Sequence, residues 1–185
     1  MKTSYEMTIA GLKRSLPLCR VNDDLYIGAF IMFGDVELTK AVAKELLAKA
    51  PEHDIMITAE CKGIPLLYEM ARLENAEDYI VARKGPKLYM QDIMYTNVDS
   101  ITTEKKQVLC IGKNEADLMR GRRVLIVDDV ISTGESLAAI ETLVCQAGGI
   151  VVGRVAVLAE GDAAKRTDID FLEYLPLFNP DGSEK

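Results

Sequence analysis

The sequence predicts an α/β fold with a central, mostly parallel sheet flanked by helices and a small antiparallel hairpin at the N-terminus. Three observations predict it. Short apolar segments alternate with helical patterns of ~10–15 residues, as βαβ units require. Hydrophobic residues make up 49% of the 185, enough to close one core. Finally, "VLIVDDVISTGES", residues 124–136, joins an apolar strand, two adjacent acids, a Ser/Thr/Gly loop and a helix start in one unit.

The elements follow in order. Tyr5, Met7 and Ile9 alternate with polar neighbours, Ala10-Gly11 supplies a turn, and the period resumes at Leu12, Arg14, Leu16 and Leu18. That pattern is a hairpin. A short apolar stretch, "LYIGAFIMF", comes after "VNDD". Residues 36–50 set Leu38, Val42, Leu46 and Ala43, Leu47, Ala50 on one helical face, and Pro51 ends that helix. "DIMITA" reads as a buried strand, "KGIPLLYEMARL" as a helix, "DYIVAR" as a strand and "KGPKLYMQD" as a loop. Residues 92–98 and 106–111 pair as antiparallel strands around "DSITTE". "RVLIVDD" is a strand, 133–147 a helix stopped by Gly148-Gly149, "IVVGRVAVLA" a strand and "DFLEYLPLF" a last short strand. The expected division is a hairpin element over 1–34, one α/β core over 35–178 and a polar tail over 179–185.

Composition narrows the function. No apolar run approaches the ~20 residues of a membrane span, and the alternating N-terminus "MKTSYEMTIAGLKRS" is no signal peptide. Cys19, Cys61, Cys110 and Cys145 lie far apart without a Cys-x-x-Cys pair, so reduced thiols and a cytoplasmic location are expected. His53 is the one histidine, which disfavours a histidine metal site or a His-based triad and reads as a loop-surface residue. A net charge of −7 argues against a nucleic-acid surface. It leaves room for small anions, because a local group of cations outweighs distant acids.

The acid–loop–helix unit carries the chemistry. In open parallel sheets ligands bind beyond the C-terminal ends of the strands, where Asp128 and Asp129 fall. The helix that follows offers free N–H groups and the positive end of its dipole, a cradle for phosphate. Ser132, Thr133 and Ser136 add hydroxyls, and Gly134 admits close backbone approach. Carboxylates next door suit the hydroxyls of a ribose diol. The bland alternative is strand termination with a helix cap.

"VLIVDDVISTGES" resembles the phosphoribosyl pyrophosphate (PRPP) signature of the type I phosphoribosyltransferases. The resemblance is strong over residues 122–137 and thin over 25–178. It implies that Asp128 and Asp129 hold the ribose hydroxyls, and through the substrate a Mg2+ ion. Ser132, Thr133, Gly134, Glu135 and Ser136 would wrap the 5′-phosphate, with the Glu135 side chain turned outward. "AECKGIP" matches the place of the family's pyrophosphate loop, which would comprise Cys61, Lys62 and Gly63; read alone, it is equally an ordinary strand-to-helix turn. That family loop often carries a non-proline cis peptide.

"VARKGPKLYM" resembles a segment of the adenine enzymes, so Arg83 would join the PRPP site while Lys84 and Lys87 neutralise the leaving pyrophosphate. By itself such a cluster is a solvated surface. "IMFGDVELTKAV" also resembles the adenine enzymes, which makes Phe33 a stacking partner for the base or, equally, a core residue. Leu158 would form the opposite wall. The family's acid that handles a purine proton falls at Thr103, with Glu104 beside it as the candidate.

The N-terminal hairpin corresponds to the variable hood over the base. The resemblance implies a purine phosphoribosyltransferase of the salvage type, with Mg2+, PRPP and a purine base, adenine first, as its small-molecule partners. A homodimer without nucleic-acid or membrane partners is implied as well. The alternatives are transferases for xanthine, hypoxanthine/guanine or orotate, or a regulator that senses PRPP without turnover.

Overall fold

The structure, a computed structural model, describes residues 2–98 and 107–185. The hairpin pairs β1 (Ser4–Ile9) with β2 (Leu12–Arg20), Ile9 facing Leu12 across the turn. Ala10 and Gly11 both take positive φ, 48° and 75°, and such a turn matches the twist of paired strands. β3 (Tyr26–Gly28) joins β2.

Helix α1 (Val36–Lys49) is capped by Asp35, whose Oδ1 accepts from Leu38 N at 3.0 Å. Arg14 Nε donates to Asp35 Oδ2 at 2.6 Å, tying the hairpin to the helix start. Ala50 is already extended, as a residue before proline should be. There follow β4 (Ile55–Ala59), α2 (Ile64–Glu74) with Pro65 in its first turn, and β5 (Ile80–Ala82). Then β6 (Met94–Val98) and β7 (Gln107–Ile111) pair antiparallel, as their sequences predict.

Three elements depart from the sequence-based expectation. A short helix, α3 (Lys113–Met119), precedes β8 (Arg123–Ile131). The helix after the acids, α4 (Glu135–Gln146), starts two residues late because Gly134 sits at φ 82° as its cap. After β9 (Ile150–Glu160) and a 3-10 turn over Gly161–Lys165, the terminal apolar segment forms two strands, β10 (Asp170–Leu175) and β11 (Leu177–Phe178). Pro176 separates them and lets each enter a different sheet. His53 also departs: its ring is packed, bonded to Pro51 O at 2.8 Å and Glu74 Oε2 at 3.0 Å.

The five-stranded sheet is wholly parallel in the order β10-β9-β8-β4-β5, and β1-β2-β3-β11 form the antiparallel sheet. The chain reverses its direction of travel across the sheet between β4 and β8. That switch point is where a doubly wound sheet opens a crevice.

Residues of β8 alternate between two cores. Val124 and Ile126 meet Ile140, Leu143 and Val144 of α4, while Leu125 and Val127 meet Leu38, Val42 and Leu46 of α1 and Leu66 and Met70 of α2. Each such buried side chain contributes ~1.5–3 kcal/mol. The two cores therefore clamp β8 from both sides and hold the residues at its C-terminal end.

Candidate functional site

The loop between β8 and α4 is an open cradle. Residues 132–136 line a cavity of about 100 Å³ with Asp128 and Leu137. Among the described residues, the amides of Ser132 to Leu137 find one acceptor only, a long 3.5 Å contact from Glu135 N to Thr133 Oγ1. Unpaired amides at a helix start are an anion site in waiting. Glu135, half-buried, opens α4 and shares the lining. Gly134 is forced twice, by its positive φ and because a Cβ there would lie 2.4 Å from Arg166 Nη1. Arg166 is itself fixed by Asp168, at 3.0 and 2.7 Å.

Asp128 and Asp129 stand at the cradle's edge, beside a second cavity of about 510 Å³. Its lining includes Phe33, Glu60, Cys61, Lys62, Lys84 and Ser136. Burial, and then the neighbouring Asp129 carboxylate, push the Asp128 carboxyl well above the usual range. Asp129 is 3% exposed. Lys62 Nζ lies 2.8 Å from its Oδ2, yet that oxygen receives no properly directed hydrogen bond among the described residues. A buried carboxylate oxygen whose close partner is a mobile lysine in poor hydrogen-bond geometry keeps capacity to accept from a ligand hydroxyl.

The turn between β4 and α2 brings Cys61, Lys62 and Gly63 against this pair, and the Glu60–Cys61 peptide bond is cis. Gly63 has no freedom to be anything larger: a Cβ would lie 2.3 Å from the hydroxyl of buried Thr58 and 3.6 Å from Asp128 Oδ1. Glu60 organises the cations. Its Oε2 accepts from Lys84 N at 3.0 Å, and it faces Arg83 at 3.7 Å and Lys87 at 3.9 Å. The Lys84 amide, then the charges of Arg83, Lys87 and Lys84, hold its carboxyl below the usual range. Arg83 is anchored through a two-bond bridge with Cys110, both bonds 2.8 Å.

Lys84 reaches the larger cavity, whereas Lys87 meets Glu60 behind it. Phe33 is 51% exposed and lines that cavity. Leu158 does not reach it: the side chain is fully buried in the core shared with α1 and α2. Glu104 and Thr103 lie outside the described residues. Sequence reasoning missed Thr58, Glu60, Glu160 and Arg166. The two glutamates carried the same signal as Asp128, an acid closing an apolar strand.

Fold and site together define a class: a doubly wound α/β protein with an anion cradle and a carboxylate pair at its switch point. The family model described as the phosphoribosyl transferase domain matches residues 34–178, and the chain belongs to this family. It is similar to the xanthine phosphoribosyltransferase of Bacillus thuringiensis (strain Al Hakam), 34% identical over 135 residues, covering 71% of this chain and 67% of the relative. Among solved structures it resembles the adenine phosphoribosyltransferase of Thermoanaerobacter pseudethanolicus, with TM-score 0.62, 25% identity and coverage of 77% and 82%. The Leishmania donovani adenine phosphoribosyltransferase shares the fold, with TM-score 0.65, 18% identity and coverage of 93% and 76%.

Proposed function

We propose that the protein is a purine phosphoribosyltransferase. It moves the ribosyl phosphate of PRPP onto a ring nitrogen of a free purine and releases pyrophosphate. The observation that carries this reading is the conjunction of the largely unpaired amides at residues 132–137 with the buried Asp129 carboxylate, whose Oδ2 faces the half-exposed Lys62 ammonium. A 5′-phosphate suits the first and a ribose hydroxyl the second. Lys62 then exchanges Asp129 for the diphosphate, a small move for a side chain that is 47% exposed.

The base nitrogen attacks C1′ as the C1′–O bond to pyrophosphate breaks, and positive charge gathers on the ribose as in glycoside cleavage. Lys62 and Lys84, which line the cavity, offset the charge building on the leaving group, while Arg83 and Lys87 face Glu60 next to them. Among the described residues, no three acid, His or Cys side chains converge as metal ligands. Mg2+ would come with the diphosphate and offset its charge, and Asp128 and Asp129 would reach it through the ribose hydroxyls. Phe33, exposed beside the pocket, stacks on the base.

For the base itself, xanthine is the first reading, because relatives at 34% identity carry that name. Adenine is the second, from the solved structures that share the fold. A homodimer in the cytoplasm completes the proposal; no described helix is long and apolar enough to cross a membrane. The test is pyrophosphate release with Mg2+, PRPP and xanthine, guanine, hypoxanthine or adenine. Turnover on at least one purine is expected. PRPP binding without turnover on any base would replace the enzyme with a PRPP sensor.

A further inference from the structure

Glu60 is an acid held fast beside the place assigned to the diphosphate. Its backbone N–H donates to Ala82 O at 2.8 Å, extending the β4–β5 pairing by one residue. Its Oε2 accepts from Lys84 N at 3.0 Å. Fixed at both ends, the carboxylate cannot swing away. It lines the cavity of about 510 Å³ together with Lys62, Lys84, Asp128 and Asp129.

The three acids of that wall differ. Asp128 is pushed toward its protonated form, and Asp129 faces the Lys62 ammonium at 2.8 Å. The ribose hydroxyls use those two, whereas no step of the transfer uses Glu60. Its side chain is 23% exposed and faces Arg83 Nη2 at 3.7 Å and Lys87 Nζ at 3.9 Å. Neither distance is a hydrogen bond, so both cations moderate the Glu60 charge without cancelling it. Among the described residues the cavity wall holds Glu60 but neither Arg83 nor Lys87.

We propose that Glu60 weakens the pocket's hold on pyrophosphate, and that Lys87 tunes that hold through Glu60, without touching the diphosphate. This rests on the transferase reading, which places the diphosphate beside Lys62 and Lys84. A like charge in a partly covered wall repels it. The consequence is kinetic. A product gripped by two lysines with no opposing charge would leave slowly, and in many enzymes product release limits turnover.

The experiment titrates wild type, Glu60→Gln, Lys87→Met and the double variant by calorimetry. The ligands are pyrophosphate with Mg2+ and, separately, ribose 5-phosphate. Glutamine keeps an acceptor for Lys84 N and removes only the charge. Glu60→Gln should bind pyrophosphate about tenfold more tightly, while ribose 5-phosphate, which lacks the diphosphate, changes by less than about twofold. Lys87→Met should weaken pyrophosphate about threefold in wild type and leave it unaltered in the Glu60→Gln background, the coupling an indirect role produces.

Unchanged or weaker pyrophosphate binding in Glu60→Gln would overturn the proposal. So would an equal loss from Lys87→Met in both backgrounds, which would place Lys87 on the diphosphate itself. Lys87→Met alone supplies a test that does not depend on the Glu60 variants: unchanged affinity there also overturns the proposal. Wild type that shows these shifts but turns over no purine removes the transferase reading and keeps the role of Glu60. Wild type that turns over but binds no pyrophosphate does the reverse.

Discussion

Gly63→Ala is a substitution whose cost can be worked from the structure. Gly63 has φ −72° and ψ −13°, so alanine suffers no backbone strain there. The difficulty is space. The new Cβ would sit 2.3 Å from Thr58 Oγ1, well inside the 3.0 Å that real Cβ contacts respect, and Thr58 is completely buried. Either Thr58 rotates inside a packed core or the turn lifts, and overpacking of this kind costs ~1–3 kcal/mol. If the turn lifts by the missing distance, Cys61 and Lys62 move relative to Asp129. Displacement by ~1 Å at a reacting site costs ~100-fold in rate.

Thr58→Ala supplies the control. Its hydroxyl has no hydrogen-bond partner among the described residues, so removing it forfeits none. The remaining Thr58 Cβ would lie 3.4 Å from the new one, an ordinary contact. The double variant should therefore regain most of the rate and melting temperature lost by Gly63→Ala, a large coupling in a mutant cycle. The assay is pyrophosphate release for kcat and KM, with thermal unfolding alongside. Wild-type kinetics in Gly63→Ala, or no rescue by Thr58→Ala, would refute the close-packed turn.

Further perturbations test other parts. Asp128 keeps its proton in the folded protein above its unfolded pKa near 3.8, so the folded state binds more protons and stability falls as pH rises from there through the raised pKa. Asp128→Asn should abolish turnover yet raise the apo melting temperature at neutral pH, the advantage vanishing near pH 4; parallel melting curves at all pH values would contradict this. Gly134→Ala faces ~1–2 kcal/mol for a left-handed alanine plus displacement of Arg166, and should raise KM for PRPP about tenfold; an unchanged KM counts against the cradle. Lys84→Ala should lower kcat more than it lowers stability, because Lys84 lines the cavity while Arg83 and Lys87 take the salt bridges to Glu60; an unaltered rate would return it to the solvated surface.

Much of this was legible in the sequence because local patterns encode it. Alternation from Tyr5 to Leu18 specifies the hairpin, and the 124–136 unit specifies strand, acids, loop and helix. Helix α3 escaped because its seven residues bury only Ala116 and Met119 and are otherwise largely polar. Its start is held by Glu115 folding back on Gly112 N at 3.1 Å. The break at Pro176 is a tertiary choice, since both halves have strand patterns and only the sheets they join differ. Thr58, Glu60 and Glu160 gain their positions from strand order, which no local period reports. Leu158, expected at the base wall, is instead fully buried in the core shared with α1 and α2.

The most direct measurement is calorimetric titration of wild type and Asp129→Asn with PRPP in Mg2+. Wild type should bind one PRPP per chain. Asp129→Asn should bind about a hundredfold more weakly, from charge-assisted hydrogen bonds worth ~1.5–3 kcal/mol each. Its apo melting temperature should stay within about 3 °C, because Lys62 is free to return to water. Equal affinity in the two proteins, or no binding by wild type, would contradict the account.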